Sequence, residues 1–317
     1  MNEGNNGIYL TKYFSEWIEL YKFGSVTHVT YAKYTMTLRR LTEIAPELKL
    51  CDLDRRRYQG IINEYAKTHE RATVFDFHHH LQAAIKDAID EDLLKTDPTR
   101  KTVIKGKPKT KERLKFLSKE ELKKLLGHLD LRSGIYKDSE WLHPNWDYAI
   151  LLAAKTSLRF AEIIGLTPSD FDFVAGKVTV SKTWDYKSSK GFAPTKNQSS
   201  MRTIAVDRPT LKIFARAVKC MRQDKPIFAQ KDQRVYNSTA NGRLRELCKS
   251  AGIPKISIHG LRHTHASLLI FEGVSVASVA KRLGHSNITT TQETYIHIIR
   301  ELEDKDNAKV VKLLAEL

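Results

Sequence analysis

From Tyr9 onward apolar side chains recur three and four residues apart. Leu10, Tyr13, Phe14, Trp17 and then Leu20 or Tyr21 form one stripe, which predicts a helix with a single buried face. Further stripes over residues 27–45, 53–67 and 72–93 predict three more helices. Their starts fall at Ser25 or Thr27, at Asp52 or Asp54, and within Glu70 to Thr73. Together they make one four-helix domain over residues 8–100, behind a polar, Gly/Asn-rich stretch at 1–7 that reads as a tail or linker remnant.

Residues 101–113, KTVIKGKPKTKER, carry six Lys or Arg with one Gly and one Pro, and read as an extended basic linker. A capping box from Ser118 to Glu121 then opens the helix SKEELKKLLGHL. Beyond it the periodicity is mixed, which predicts a second domain over 114–317. Residues 147–156 form an apolar helix, and a helix resumes through Leu166. Residues 176–183 and 201–206 alternate like strands, whereas 209–222, 236–251 and 259–270 are helical. After Tyr295 an apolar start, a charged stretch and a final VVKLLAEL make a tail able to pack on its own domain or reach a neighbouring subunit. The fold expected is mainly α with a small β-sheet or hairpin: a helical domain, then an α+β domain.

Charge narrows the partner. Among 317 residues, 53 Lys and Arg against 37 Asp and Glu give a net charge of +16, so a polyanion is the first expectation, and nucleic acid fits best. An anionic membrane would call for a basic amphipathic helix or a lipidation motif, and neither is found. No cationic leader precedes an apolar run and no span is long enough to cross a membrane, so a cytoplasmic location is expected. Cys51, Cys220 and Cys248 lie far apart with no CxxC pairing and read as buried thiols in a reducing compartment. On the helical domain Lys33, Arg39 and Arg40 are candidates for a DNA-facing surface. The linker lysines Lys105, Lys107 and Lys109 are others, with Lys187 and Arg243 in the second domain. His78, His79 and His80 do not make a metal site, because consecutive helical positions point about 100° apart.

The candidate chemistry lies in HGLRHTHASLLIFEGVSVASVAKRLGHSNITTTQETY, residues 259–295. On one helix His259, Arg262 and His263 occupy neighbouring positions near an N-terminus, whose free N–H groups and dipole favour an anion. His285 and Tyr295 follow, adding a donor and a possible nucleophile. Arg159 falls among apolar neighbours and needs a partner, for which Glu162, three residues on, is the structural candidate. The hairpin before residue 206 is densely cationic, with Lys182, Lys187, Lys190 and Lys196.

Four boxes in order, TSLRFAEIIGL, TKNQSSMRTI, HGLRHTHAS and LGHSNITTTQETY, resemble those of the tyrosine recombinases, the phage-integrase family. The helical domain and basic linker resemble that family's SAM-like core-DNA-binding domain. The resemblance implies Arg159 and Arg262 gripping the scissile phosphodiester, Tyr295 as nucleophile, and His259 and His285 as further active-site residues. It implies Lys196 as the hairpin lysine, on its TKN context, ahead of Lys187 and Lys190. Two guanidinium forks suit a diester whose charge concentrates as it becomes pentacovalent. A phenol of pKa about 10 needs help to ionise, for which His259 is the candidate, and a leaving 5′ oxygen needs a proton, for which Lys196 is. His263 and His265 are read as structural. Ser157 departs from the family's frequent Gly and predicts altered backbone detail.

The activity implied is integration and excision of a phage or integrative element by a DNA strand transferase working through a 3′-phosphotyrosine and a Holliday junction. It needs no metal and no nucleotide cofactor. The partners implied are duplex attachment sites, a homotetramer on DNA, and an excisionase or host DNA-bending protein, in a bacterial cytoplasm and on the nucleoid when bound. Family integrases usually carry an arm-binding domain first, so the chain reads as a simple integrase or as one starting near that junction. The residues also admit a type IB topoisomerase, a chromosome-dimer-resolving recombinase, a non-catalytic DNA-binding regulator, and a zinc hydrolase built on His259, His263 and His265. The last lacks an HExxH acid and a completing shell.

Overall fold

In a computed structural model describing residues 7–108, 116–136, 144–186, 191–230, 234–296 and 314, the first stripe becomes helix α1 (Leu10–Lys22). Its buried face is Leu10, Tyr13, Phe14, Trp17 and Ile18. Ile18 takes the last inward position, and Leu20, two residues on and so on the opposite side, is 74% exposed. The other stripes become α2 (His28–Ile44), α3 (Arg55–Ala66) and α4 (Arg71–Asp90). Thr27 and Asp54 cap α2 and α3 by accepting the N–H of Thr30 and of Arg57. The core these helices enclose includes Phe14, Leu41, Tyr58, Ile62, Phe77 and Leu81. The three consecutive histidines each turn to a different neighbour. His78 Nδ1 lies 2.8 Å from the Tyr58 hydroxyl and His80 Nδ1 2.8 Å from Thr37 Oγ1, while His79 meets the Phe75 ring.

The chain divides into two units, Met1–Glu112 and Arg113–Leu317. The stretch expected to be an extended linker is held on the first unit as far as Lys107. Gln59 exchanges two hydrogen bonds of 2.9 Å with the backbone of Val103, and Lys107 N–H donates to the His69 carbonyl at 2.8 Å. Gly106 passes so close to α4 that a Cβ there would sit 2.3 Å from Arg71 N. Lys105 consequently shares an open groove with Arg55 and Arg56.

The second unit opens with α5 (Lys119–Gly127) behind the Ser118–Glu121 capping box. Its central helix is α6 (Trp146–Thr156), buried on nearly every side, followed by the short α7 (Phe160–Ile164). Strands β1 (Phe171–Asp172) and β2 (Lys177–Val180) come next, then a separate hairpin of β3 (Thr183–Asp185) and β4 (Gly191–Ala193), then β5 (Arg202–Ala205). Strands β2 and β5 pair antiparallel, Val178 opposite Ile204, in a sheet of order β1-β2-β5. The single long strand predicted to residue 183 is interrupted because Lys182 turns to Asp170 (2.7 Å) and Thr183 packs against α7. That packing requires a glycine at 165, where a Cβ would meet the Thr183 backbone at 2.7 Å.

Helices α8 (Arg208–Ala217), α9 (Asn237–Ser250), α10 (Ile258–Phe271) and α11 (Val276–Leu283) complete the unit, with residues 288–296 also helical. α10 packs on α6, α9 and α11. Of the three cysteines only Cys248 is buried. Cys51 and Cys220 are exposed, against the expectation of three buried thiols: each takes the outward position of a short turn whose neighbours, Leu50 and Leu53 or Val218, fill the core.

Arg243, expected to face DNA, has another task. Asp147 of α6 is fully buried, and Arg243 Nε and Nη2 donate to its two oxygens at 2.7 and 2.9 Å, with Asp130 N–H adding a third bond at 2.8 Å. This fork joins α9 to α6. Arg243→Ala is expected to destabilise the protein by about 2–3 kcal/mol in urea unfolding, because it strands a buried carboxylate. A loss confined to DNA affinity, with stability unchanged, would return Arg243 to the DNA surface.

Candidate active site

Helix α6 ends at Ser157, whose backbone is left-handed (φ 59°) and fully buried. This turn ends one helix and leaves Arg159 at the N-terminus of the next. Glu162 reaches back to it: Oε2 accepts Arg159 N–H at 2.9 Å and Oε1 accepts Nη1 at 2.7 Å. The structural partner expected for Arg159 is therefore present, but it is shared. Arg202 of β5 also forks onto Glu162, at 2.9 and 3.2 Å. Burial opposes ionisation of Glu162, yet the hydrogen bonds and charge of Arg202 and the charge of Arg159 outweigh it and hold the carboxyl below its ordinary range.

Arg262, one turn into α10, is 3% exposed and has no carboxylate of its own among the described residues. Its Nη1 and Nη2 donate instead to the carbonyls of Ser157 and Leu283, both at 2.7 Å. Burial and the charge of Arg159 push its pKa down to about 9, which leaves it cationic at neutral pH. Arg159 Nη2 similarly donates to the Gly284 carbonyl at 3.1 Å. Gly284 is left-handed (φ 67°), and a Cβ there would stand 3.0 Å from Arg202 Nη1, so the turn and the close approach both call for glycine. Two guanidinium groups thus grip one carboxylate, and a third, Arg262, lies near enough to feel its charge, a balance of 3 − 1 = +2 among these four side chains. Both Arg159 and Arg262 keep N–H groups uncommitted to that frame.

His285 follows Gly284, its Nδ1 2.7 Å from Thr291 Oγ1. Burial, then Arg262, Arg159 and Arg202, push its pKa down to about 4. His259 is likewise lowered by burial and by Arg262 and Arg159. Both are neutral at pH 7 and act as hydrogen-bonding groups. Tyr295, 2% exposed, sits in an apolar cluster with Ala266, Ile270, Val279 and Leu283. Burial pushes its phenol up to about 12 although Arg262 opposes the shift.

The group at the phenol is not the one sequence reasoning chose. His263 Nδ1 lies 2.9 Å from Tyr295 Oη, while His259 packs edge-on against the His263 ring at 4.8 Å. The spacing of four between these histidines placed both on one face, but only packing decides which reaches the tyrosine. His265 is structural, as expected: Nδ1 lies 2.9 Å from the Ala154 carbonyl and Nε2 accepts Arg282 Nε at 2.9 Å. Sequence reasoning missed Glu162 as a shared anchor and did not consider Arg202 at all, although alternation along β5 already turned Arg202 away from its exposed neighbours.

Arg159, Arg262, His259, His285 and Tyr295 thus belong to one site. Lys196 is exposed on the turn between β4 and β5, four residues before Ser200, whose hydroxyl lies 3.4 Å from Arg159 Nη1. In the first unit Lys33 stands 3.7 Å from Asp76, and Arg39 and Arg40 stand 3.8 and 2.6 Å from Glu43. Lys105 and Lys107 are exposed. Lys109, Lys187 and Lys190 lie outside the described residues, as does all of the tail after residue 296 except Leu314.

The model of the family described as "Phage integrase family" matches residues 115–301. The ICEBs1 integrase of Bacillus subtilis (strain 168) is 24% identical over 286 residues, covering 85% of this chain and 70% of its own. An integrase of transposon Tn1549, solved with a circular-intermediate DNA, superposes with a TM-score of 0.75 at 20% identity over 94% of this chain and 99% of its own. A lambda integrase tetramer bound to a Holliday junction gives a TM-score of 0.67 at 17% identity over 91% and 80%. These likenesses show the fold.

The buried histidines make the second unit acid-sensitive. His265, lowered to about 4 by burial and Arg282, and His285 stay neutral when folded, whereas the unfolded chain binds protons below the ordinary value of 6.5. Stability is full above about 6.5 and falls as pH drops towards about 4, by up to about 1.4 kcal/mol per pH unit for each histidine. Unfolding midpoints measured across that window are expected to decline, and His265→Gln to flatten the decline. A midpoint independent of pH there would contradict the buried neutral imidazoles.

Proposed function

The chain belongs to the phage integrase family, and we propose that it is a site-specific DNA recombinase that integrates and excises a mobile element through a covalent tyrosine intermediate. One observation carries this reading: Arg159 and Arg262, with N–H groups to spare, belong to a net-positive cluster whose field reaches the phenol of the buried Tyr295. Such a cluster suits a single phosphodiester.

In the mechanism, Arg159 and Arg262 hold the two non-bridging oxygens with the N–H groups their carbonyl partners leave over. They bind more tightly as charge concentrates in the pentacovalent transition state. His285 donates a hydrogen bond to the same phosphate without adding charge. Tyr295 Oη attacks phosphorus, the bond to the 5′ oxygen breaks, and a 3′-phosphotyrosine and a free 5′ hydroxyl result. Lys196, exposed on the turn between β4 and β5, supplies the proton to the leaving oxygen. A 5′ hydroxyl from the partner duplex then reverses the step. The phosphotyrosyl bond conserves the energy of the diester throughout.

The assembly proposed is four protomers on two duplexes passing through a Holliday junction, consistent with the tetramer in which the lambda relative was captured. An excisionase or DNA-bending protein would set direction. The cations Lys33, Arg39, Arg40, Lys105 and Lys107 are proposed to follow the phosphate backbone, since the ion pairs that Lys33, Arg39 and Arg40 make are solvent-screened and yield readily to phosphate. Among the described residues no helix is long and apolar enough to cross a membrane. Work on DNA in a bacterial cytoplasm is the location proposed.

The test starts from a duplex pool with a randomised core, incubated with the protein in EDTA, from which SDS-resistant adducts are captured and sequenced. Tyr295→Phe is expected to bind the selected DNA as the unsubstituted protein does and to form no adduct. An adduct formed by that variant removes Tyr295 from the mechanism. Lys196→Ala is expected to slow cleavage of the selected DNA by about 10²- to 10⁴-fold. A bridging 5′ phosphorothiolate, whose sulfur leaves without a proton, should restore the rate. Failure of that rescue would show that Lys196 is not the acid.

A further inference from the structure

Tyr295 must lose a proton as it attacks, and among the described residues the one side chain hydrogen-bonded to its hydroxyl is His263, at 2.9 Å. We propose that His263 is the proton acceptor of strand cleavage and the proton donor of rejoining. This rests on the transesterification reading above, and gives a catalytic role to a residue outside the six that the family boxes mark.

The contact is of the length that direct transfer requires. Both partners are held: Tyr295 by its apolar cluster, and His263 by helix α10 and by the edge of the His259 ring. His285 and Arg262 make their hydrogen bonds to groups other than the phenol. His285 is turned to Thr291, and Arg262 to the carbonyls of Ser157 and Leu283. Among the described residues, His259, Arg262 and His285 are ionisable groups that bear on the pair. On the helices packed against α10, Lys155 pairs with Asp207 and Asp147 with Arg243, while Arg282 reaches α10 but donates to His265 rather than to His263 or Tyr295.

The step balances within the site. As the Oη–P bond forms and the P–O5′ bond breaks, the phenolic proton passes to His263 Nδ1, and the leaving oxygen takes a separate proton from Lys196. Rejoining returns the first proton to the departing phenolate. The scheme also ties the base to DNA, because a bound diester brings negative charge into the site and attraction to it favours the imidazolium that forms as the tyrosine attacks.

The experiment uses full-length protein and the DNA selected by covalent capture. His263→Gln and His263→Ala are expected to bind that DNA normally and to slow cleavage by about 10²- to 10⁴-fold. The phosphorothiolate substrate should not restore them, because the leaving group is not what they lack. Their rates should rise about tenfold per pH unit through the neutral range, as only the rare phenolate reacts. Added imidazole should partly restore His263→Ala. Glutamine keeps a hydrogen bond to Oη without being a base, so full activity in His263→Gln would reduce His263 to positioning and overturn the proposal. So would cleavage by either variant within about threefold of the unsubstituted rate, or rescue by phosphorothiolate. An unsubstituted protein that forms no adduct would sink the recombinase reading itself. An adduct unaffected by these substitutions would sink only the role of His263.

Discussion

The second unit depends on one carboxylate shared between two arginines. Glu162 is almost fully buried and receives Arg159 from its own helix and Arg202 from β5, so it binds the turn after α6 to the sheet. A lone carboxylate at that depth would protonate. Two guanidinium forks keep it ionised, and it in turn keeps two cations close together that would otherwise repel. The arrangement stops one charge short of balance for each arginine presented to ligand. Arg159 shares its partner and Arg262 has no carboxylate of its own among the described residues, which is why the cluster is structurally sound and still suited to an anion.

Arg262 is solvated by backbone instead. Its acceptors, with that of Arg159, are the carbonyls of Ser157, Leu283 and Gly284, the last residue or C-cap of α6 and of α11. Helix C-terminal carbonyls lack intrahelical partners and carry the negative end of the helix dipole, so each arginine caps a helix as it is held. Both helices end in a left-handed residue that turns these carbonyls inward. Gly284 does so without strain. Ser157 does so at a cost of about 1 kcal/mol for a residue with a Cβ, and its buried position shows how firmly the surrounding packing fixes the turn.

Much of this was legible in the sequence and some was not, for identifiable reasons. Helical periodicity and polar caps located α1 to α4 and α10 closely, because one face of each is buried and the starts at Thr27 and Asp54 use side chains that cap. The ordered boxes pointed to Arg159, Arg262, His285 and Tyr295, which the fold brings into one site. What local pattern cannot supply is the identity of a long-range partner. Arg243 looks like any basic residue on an amphipathic helix until Asp147, 96 positions away, is known to lie buried beneath it. The same limit explains the basic stretch after residue 100, which reads as a linker from composition, although Gln59 and Gly106 hold it against α3 and α4. His263 was passed over because a histidine within an apolar helix is most often structural, and only the packing of residues 288–296 brings a tyrosine to it.

The electrostatics bear on how the tyrosine is activated. Arg262 already lowers the phenol's pKa, yet burial outweighs it and the group stands near 12. Strengthening the positive field is not available as a remedy, because the substrate is itself an anion and its arrival halves the surplus of two charges. A phenol that ionised through the field alone would be most reactive in the empty site and less so once DNA was bound, the reverse of what a strand transferase requires. A local acceptor largely removes this dependence: the added negative charge disfavours phenolate but favours the imidazolium, so the pair can exchange a proton at little net electrostatic cost. The neutral state of His259 and His285 fits the same constraint, since further cations in the frame would penalise the proton that the acceptor must take.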